Sequence, residues 1–283
     1  MAVAVPVAEE VQLWATEAET LARKAGALFL AARVRGGFGM TSKGGVDLVT
    51  EVDEAAEKLI LDGLGKAFPT HDLVGEETSG LGGEAEGPFP FSGDGNPVWI
   101  VDPLDGTTNF VTGQNDVVVS IACWASGAPV VGVIFNPFLD ECYTATAGGG
   151  AFCNGKAIRV NPESDLSKVV VMNNVGACRD PVFVSASTHR LEKILLAGVR
   201  GLRLGGSCAM NMCYVASARM GVYFERGFGG PWDVAAGILI VREAGGVVCT
   251  LANSPLELRA GKGEVLCGNA AVCTAISAIV EGP

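Results

Sequence analysis

Histidine is nearly absent from this chain, and its cysteines are not spaced to bind a metal. The 283 residues include two histidines and nine cysteines, and no two cysteines have the CxxC spacing. Zinc sites are usually built from clustered Cys and His, so the sequence argues against zinc. An odd number of cysteines, most of them in apolar stretches, indicates buried thiols in a reducing cytosol.

Positive charge is scarce and scattered. Lys and Arg total 20 against 31 Asp and Glu, so the formal net charge is -11 at pH 7 and the pI is near 4.7. Because nucleic-acid binders carry basic patches and this chain has no Lys/Arg cluster, the sequence predicts no nucleic-acid partner. The acidity fits either simple solubility or a carboxylate cluster that needs a metal ion.

Long uninterrupted apolar runs are also missing, so we expect no membrane partner. The charge-free stretch 117–139 has Ser126-Gly-Ala-Pro129 at its centre, which predicts two buried strands joined by a turn. The first ten residues lack the basic start of a secretory signal and soon reach Glu9 and Glu10. We therefore expect a cytoplasmic protein. Hydrophobic residues make up 49% of the chain, which is enough for a large core.

The most informative segment is 99–110, WIVDPLDGTTNF, where an apolar strand leads into two carboxylates and a helix start. Asp102 and Asp105 offer the hard oxygen ligands that Mg²⁺ prefers. Gly106 permits a turn, and the Thr-Thr-Asn run after it suits a helix N-terminus, where free N–H groups bind phosphate. Asp-Pro and Asp-Gly are ordinary turn pairs. Both pairs together in this setting predict phosphate chemistry.

Further carboxylates stand at the ends of other elements. Asp53 begins a second helical run, where its ordinary role is a helix N-cap. Glu76 and Glu77 follow a short apolar strand, where a Glu pair is usually just solvated. Asp233 lies in the first turn of another helix and complements its dipole, and the run 205–208 precedes one more helix. Each of these signals alone allows a purely structural role.

The hydrophobic pattern predicts a single domain, 1–283, with sub-halves of about 1–160 and 161–283. The first half is predicted to be α+β, with a long first helix, antiparallel strands and an Asn154-Gly155 hairpin turn. The second half alternates in the α/β manner. Its predicted strands are 168–172, 200–204, 221–225 and 246–250, and its predicted helices are 187–197, 207–217, 233–244 and 270–280.

Four motifs in order, DLVTEVD at 47–53, GEE at 75–77, VDPLDGTTNF at 101–110 and PWDVAAGILIVREAGG at 231–246, strongly resemble the inositol monophosphatase family. This family belongs to the lithium-sensitive, magnesium-dependent phosphatase superfamily. The resemblance runs from roughly Val11 to Val280, and GFGGPWD looks most like plant-type members. It implies a layered αβαβα sandwich, a homodimer and inhibition by lithium.

The resemblance also assigns roles to individual residues. Thr107 matches the residue that orients the attacking water, and Asp53 matches its hydrogen-bond partner. The implied catalytic residues are Asp53, Glu76 and Thr107. The implied ligands of two to three Mg²⁺ ions are Glu76, Asp102, the carbonyl of Leu104, Asp105 and Asp233. The implied substrate-binding residues are Asp105, Gly106, Thr107, Gly206, Ser207, Cys208, Glu225 and Asp233.

The expected reaction is Mg²⁺-dependent hydrolysis of myo-inositol 1-phosphate by a metal-activated water, with L-galactose 1-phosphate close behind as a substrate. Two ions about 3.5–4 Å apart would neutralise a phosphate monoester that otherwise repels hydroxide. A second reading keeps this chemistry but acts on histidinol phosphate, a sugar bisphosphate or a nucleotide 3′-phosphate. A third reading is a metal-binding regulator without catalysis, which would need the acidic ligands but not Thr107.

Several segments depart from the family pattern and bear on substrate choice or subunit packing, and two of them adjoin the motifs. Relatives usually continue after Phe110 with a His and a Phe-Pro-Phe run, whereas this chain has VTGQND at 111–116. The Gly-rich loop 79–97 is longer than usual and lies just after the Glu pair.

Overall fold

The computed structural model describes residues 6–36, 39–44, 47–81, 87–89, 95–176 and 178–282, with the backbone alone for 40–44 and 47–49. Much of the predicted loop 79–97 therefore lies outside the described residues. None of the described helices has the length and apolar character needed to cross a membrane.

Two helices form the first layer. Helix α1 spans Ala8–Arg35 and α2 spans Glu51–Ala67, and a short antiparallel hairpin of β1 (Met40–Gly44) and β2 (Asp47–Thr50) joins them. The apolar stripe predicted for the first helix is buried from Val11 and Trp14 to Ala25, whereas its last residue, Leu28, is half-buried and the adjacent Phe29 is buried instead. Both helices pack on one face of a seven-stranded sheet, because that stripe needs an apolar surface to cover it.

The seven-stranded sheet carries the strands predicted for the first half. Its order follows the chain: β3 (Asp72–Gly75), β4 (Val98–Asp105), β5 (Val118–Ala125), β6 (Ala128–Asn136), β7 (Glu141–Thr146), β8 (Gly150–Cys153) and β9 (Lys156–Ala157). Helix α3, Thr107–Thr112, links β4 to β5. The sheet is antiparallel except that β3 pairs with β4 in parallel. Asn154 and Gly155 both have positive φ, 48° and 74°, as a type I′ turn requires.

The second half forms a five-stranded mixed sheet in the order β11-β10-β12-β14-β13. Its elements are β10 (Val170–Asn174), α4 (Pro181–Leu196), β11 (Gly201–Leu204), α5 (Cys208–Ala216), β12 (Val222–Phe228), α6 (Trp232–Glu243), β13 (Val247–Cys249), β14 (Gly263–Gly268) and α7 (Ala270–Glu281).

The structure adds two features to the predicted pattern of the second half. Helix α4 begins six residues earlier than predicted, because Asp180 caps it by accepting the N–H groups of Val182 and Phe183 and Pro181 occupies its first turn. Strand β14 was not predicted, although it lies between β12 and β13 within the sheet. Its apolar run is short and has a glycine at each end, and glycine weakens the sequence signal of a strand.

Helices α5 and α6 lie between the two sheets, and α4 and α7 cover the outer face of the second sheet. Small residues allow the close packing of the middle layer. A Cβ on Gly132 of β6 would lie 2.7 Å from the carbonyl oxygen of Ala236, and one on Gly237 would lie 2.5 Å from the sulfur of Met212. The layered mixed α/β class predicted from the sequence is confirmed.

Candidate active site

The end of β4 turns two carboxylates to the same place. In a regular strand, residues three apart face opposite sides of the sheet. Here Asp102 pairs with Ser120 but Asp105 pairs with Val118, so β4 holds one residue more than β5 over this stretch. This bulge re-aims the second side chain. As a result, carboxylate oxygens of Asp102 and Asp105 lie within 4.8 Å of each other.

Asp233 joins this pair from the first turn of α6. Its Oδ2 accepts the backbone N–H of Gly230 at 2.6 Å, which fixes the side chain against the preceding turn. The hydroxyl of Ser120 on β5 donates to the carbonyl of Trp232 at 3.3 Å and ties the start of α6 to the sheet. Oxygens of Asp102, Asp105 and Asp233 all lie within 4.8 Å of one another.

Glu76 reaches the same place from the neighbouring strand. Strand β3 runs parallel to β4, so both carboxyl ends meet at one edge, and the N–H of Glu76 donates to the carbonyl of Val101 at 3.0 Å. The carboxyl group of Glu76 lies near enough to Asp102 for its charge to raise the pKa of Asp102. The four acidic residues that the sequence singled out for metal binding are therefore brought together.

The electrostatics of this acidic cluster fit a bound divalent cation. Burial and the charges of Glu76, Asp105 and Asp233 raise the pKa of Asp102 well above its ordinary value. Burial, Asp105 and Glu76 do the same to the pKa of Asp233. Burial raises the pKa of Asp105 to about 6, although donors from α5 oppose the shift. The carboxylate oxygens of the cluster repel one another and are the ligands that Mg²⁺ prefers. A bound Mg²⁺ ion would offset this repulsion.

Thr107 stands directly after the acidic strand end. Gly106 precedes it with φ of 98°, a left-handed conformation that glycine adopts without strain, and a Cβ there would lie 2.8 Å from the carbonyl oxygen of Asp116. The hydroxyl of Thr107 lies 3.3 Å from Oδ1 of Asp53 and 3.3 Å from the carbonyl of Leu104. The sequence-predicted pair of Thr107 and Asp53 is thus in contact across 54 residues of chain.

The ordinary role of Asp53 would make it the N-cap of α2, but the structure places it inside the helix. Thr50 is the N-cap, and Asp53 is the third helical residue of a capping box in which its Oδ2 accepts the N–H of Thr50 at 2.9 Å. The hydroxyl of Thr50 contacts the same oxygen. Since Oδ2 is occupied by the cap, Oδ1 is the atom that faces Thr107.

The start of α5 supports the cluster with its side chains. The hydroxyl of Ser207 donates to Oδ2 of Asp105 at 2.6 Å and accepts the N–H of Met210, and the N–H of Ala209 also donates to that Oδ2 at 2.7 Å. Ser207 is fully buried, so its hydroxyl serves Asp105 and the helix cap. Gly206 is exposed, and a Cβ there would lie 2.5 Å from Oδ1 of Asn109.

Cys208 follows Ser207 and is held as a thiol. Burial and the charges of Glu225, Asp233 and Asp105 raise the pKa of its thiol well above the ordinary value. A thiol in this state is a poor nucleophile. All nine cysteines of the chain are free thiols in the structure.

Glu225 lies on β12 in a polar network that the sequence did not reveal. Its side chain is 3% exposed, and its Oε2 accepts the amide of Asn174 at 3.0 Å and the hydroxyl of Tyr223. Asn211 of α5 donates in turn to Asn174 at 3.0 Å. Burial raises the pKa of Glu225 to about 7, although both donors oppose the shift. Only the i, i+2 spacing of Tyr223 and Glu225, which places them on one face of a strand, could have signalled this contact.

Both histidines have partners outside the acidic cluster. His71 accepts the indole N–H of Trp99 at 3.0 Å and stacks on Phe68, and burial lowers its pKa. His189 lies on an exposed face of α4 beside Glu192. Their surroundings give them structural roles.

The atypical segment 111–116 is anchored at two points. Arg33 of α1 donates to Oδ1 of Asn115 at 2.9 Å and to the carbonyl of Gln114 at 2.7 Å. The hydroxyl of Tyr214 on α5 donates to Oδ1 of Asp116 at 2.5 Å. Because the carbonyl of Asp116 also lies behind Gly106, these contacts brace the turn that starts α3.

Comparison with known proteins gives consistent similarities over most of the chain. The model of the inositol monophosphatase family matches residues 10–281. Inositol monophosphatase 2 of Solanum lycopersicum is 51% identical over 218 residues, 77% of this chain and 80% of that protein. Inositol monophosphatase 1 of Homo sapiens is 36% identical over 241 residues, 85% and 84% of the two chains. The crystal structure of extragenic suppressor protein suhB from Bartonella henselae has a TM-score of 0.80 and 31% identity, with 97% and 98% of the chains covered.

Proposed function

The chain belongs to the inositol monophosphatase family and is a phosphatase, and from this we propose its substrate. We propose that it hydrolyses myo-inositol 1-phosphate in a Mg²⁺-dependent reaction. L-galactose 1-phosphate is the second proposed substrate. The observation that carries this proposal is the meeting of Asp102, Asp105 and Asp233, with Glu76 alongside, next to the Thr107–Asp53 pair. Carboxylates alone would suit a metal-binding regulator. The added hydroxyl–carboxylate pair supports catalysis.

The proposed Mg²⁺ ligands are Glu76, Asp102, the carbonyl of Leu104, Asp105 and Asp233, for two to three ions. Bound ions would neutralise the phosphate, lower the pKa of a water and stabilise the leaving oxygen. The protein prepares this site by holding three of these ligands from a second side. Asp105 is held by α5, Asp233 by Gly230, and Asp102 by the N–H of Leu104 at 3.0 Å.

Thr107 and Asp53 are proposed to orient the attacking water. A hydroxyl has one proton, so Thr107 cannot donate fully to both Asp53 and the carbonyl of Leu104. When the proton is directed to Asp53, the lone pairs of the Thr107 oxygen are free to accept a hydrogen bond from a water. The backbone N–H groups of Gly106 and Thr107, at the start of α3, are proposed to bind the phosphate.

The proposed alcohol-binding residues lie on β12 and at the start of α5. Glu225 is the residue best suited to accept hydrogen bonds from the hydroxyls of a polyol, because the hydrogen bonds from Tyr223 and Asn174 both go to its Oε2. Gly206, Ser207 and Cys208 are proposed to contribute through the backbone, since the Ser207 hydroxyl is used by Asp105.

The proposed substrate is tested by measuring phosphate release in Mg²⁺ from matched concentrations of myo-inositol 1-phosphate, L-galactose 1-phosphate, histidinol phosphate, a sugar bisphosphate and a nucleotide 3′-phosphate. We expect the highest kcat/KM for one of the first two. A higher value for any of the last three would replace the proposed substrate while keeping the chemistry. A single turnover in ¹⁸O-water should place ¹⁸O in the released phosphate, and a trapped phosphoenzyme would contradict direct attack by water.

Replacing Glu225 by Gln tests its proposed role through stability and KM together. The folded protein binds a proton at Glu225 more tightly than the unfolded chain, because its pKa rises from 4.5 to about 7. This group therefore lowers the free energy of unfolding as the pH rises from about 4.5 to 7, by up to about 3 kcal/mol. Without added metal, Glu225→Gln should gain melting temperature over the wild type at pH 8 but not at pH 5.

The same variant should raise KM for myo-inositol 1-phosphate about tenfold or more, the cost of weakening a hydrogen bond to a charged group. The matched control is Glu54→Gln, which changes an exposed glutamate of α2. A melting-temperature difference between wild type and variant that does not change with pH, or an unchanged KM, would remove Glu225 from the proposed site.

A homodimer and a cytoplasmic location are also proposals. Helix α4 and strand β11 expose Val182, Leu196 and Leu204, apolar side chains of the kind that a subunit contact covers. Sedimentation at micromolar concentration would show whether the chain pairs. The nine free thiols suit a reducing compartment.

A further inference from the structure

We propose that Glu57 is a positioning residue for the loop that carries Glu76, and that it acts by setting the affinity of the site for Mg²⁺. This inference rests on the proposed function, since it assumes that Glu76 binds a metal ion. Glu57 lies on α2, is 2% exposed and has no place in the roles assigned above.

The contact that carries the inference is a single hydrogen bond to the backbone next to Glu76. Oε2 of Glu57 accepts the N–H of Glu77 at 2.8 Å. The N–H of Glu76 donates to the carbonyl of Val101 at 3.0 Å. The peptide units on both sides of the Glu76 Cα are therefore fixed, one by strand β4 and the other by Glu57. With both fixed, the direction of the Cα–Cβ bond of Glu76 is set, and its side chain starts toward the site.

Gly75 fits against the same carboxylate. A Cβ on Gly75 would lie 2.4 Å from the carboxyl carbon and from Oε2 of Glu57, and 2.8 Å from Oε1. Gly75 has no positive φ, so its conformation alone does not require glycine. Space for the Glu57 carboxylate is the physical reason for glycine at this position.

Burying the Glu57 carboxylate is unfavourable for folding, so stability alone does not explain a glutamate at this position. Its Oε1 is buried and has no hydrogen-bond partner among the described residues. A buried carboxylate with one oxygen unpaired costs free energy that an apolar side chain would not. This cost points to a role in the site rather than in the core.

The position of Glu57 also links two parts of the site through one rigid element. Asp53, which contacts Thr107, lies one helical turn before Glu57 on the same face of α2. Helix α2 therefore holds the Thr107 hydroxyl through Asp53 and the Glu76 loop through Glu57. The distance between these two parts is set by a helix, whereas two loops would allow it to vary.

The test compares Glu57→Leu with Glu57→Gln, using Mg²⁺ or Mn²⁺ alone as the probe. Leu has no acceptor for the N–H of Glu77, whereas Gln keeps one. In calorimetric titration of the substrate-free protein, we expect Glu57→Leu to bind the ion about 10–100-fold more weakly, as for removal of other residues that orient metal ligands. Glu57→Gln should stay within about threefold of the wild type. The Mg²⁺ concentration for half-maximal activity should rise in parallel for Glu57→Leu, while kcat at saturating Mg²⁺ changes less.

Gly75→Ala is an independent variant, since its methyl group displaces the same carboxylate from the other side, and it should weaken ion binding in the same direction. Leu64→Ala on α2 is the control, because it removes a fully buried side chain and should lower the melting temperature without changing ion affinity. Unchanged ion affinity in Glu57→Leu and Gly75→Ala, or equal losses in Glu57→Leu and Glu57→Gln, would overturn the role of Glu57. No ion binding by the wild type would instead refute the proposed metal-dependent function.

Discussion

Asp102→Asn should lower kcat/KM by at least about 10³-fold while leaving the protein folded. Removing one preorganised group that stabilises charge typically costs about 10²–10³ in rate, and we propose that Asp102 is shared by two of the Mg²⁺ ions. The expected loss is therefore at the upper end or beyond. Asn keeps the oxygen that accepts the N–H of Leu104, so the strand end retains its shape. Phosphate release from myo-inositol 1-phosphate at saturating Mg²⁺ measures the effect.

The same change should raise the melting temperature of the metal-free protein at pH 8. The folded pKa of Asp102 lies above its ordinary value, so its stabilising contribution is present at low pH and is lost as the pH rises through that pKa. Above it, the wild type bears the cost of a buried charge beside Glu76, Asp105 and Asp233, and the variant does not. Added Mg²⁺ should raise the melting temperature of the wild type strongly and that of the variant less.

Asp62→Asn is the matched control for this prediction, since it makes the same chemical change at an exposed site on α2 that pairs with Lys58. It should retain activity and the response to Mg²⁺. Activity of Asp102→Asn within tenfold of the wild type would contradict the proposed site. A lower melting temperature without metal would contradict the electrostatic account of the cluster.

Thr107→Ala should lower kcat by about 10²–10⁴-fold, the range for removal of a group that handles a proton in the transition state. KM and Mg²⁺ affinity should change little, because the backbone N–H that is proposed to bind phosphate remains. Thr107→Ser keeps the hydroxyl and should recover most of the rate. Single-turnover measurements at saturating Mg²⁺ separate this loss from any change in product release.

Thr108→Ala provides the control for Thr107→Ala, since the neighbouring threonine is exposed on the same helix. The double variant with Asp53→Asn adds a sharper check. If Asp53 acts through Thr107, the two losses in kcat should not add. Additive losses in kcat would mean that the two residues act separately.

Local chemistry made much of the fold predictable. The structure agrees with the predicted first helix, the Asn154-Gly155 turn and the two strands within 117–139, because neighbours in sequence govern these elements. Strand β14 depends on partners on both sides, β12 and β13, that its own short sequence does not indicate. The start of α4 carried usable signals, Asp180 and Pro181, that the apolar pattern alone passes over.

The residue types of the proposed site were readable from the motifs, but the roles of several side chains were not. Ser207 is implied by the resemblance to contact substrate, and the structure adds that its hydroxyl holds Asp105 and caps α5. The sequence does not distinguish Asn174 or Glu57 from other polar residues, because an isolated polar residue in a strand or helix has many ordinary roles. Their partners, Glu225 and the N–H of Glu77, come from other elements of the fold.

By itself the sequence determined which chemistry was available: oxygen ligands at strand and helix ends, a threonine at a helix start and thiols without a metal-binding spacing. Only the tertiary structure decided that these groups meet. An alternating strand would point Asp102 and Asp105 to opposite faces, and the pairing of β4 with β5 across a bulge turns them together. Parallel pairing of β3 brings in Glu76, and the packing of α6 between the sheets brings in Asp233. Register and packing depend on contacts between distant segments, which no local pattern encodes.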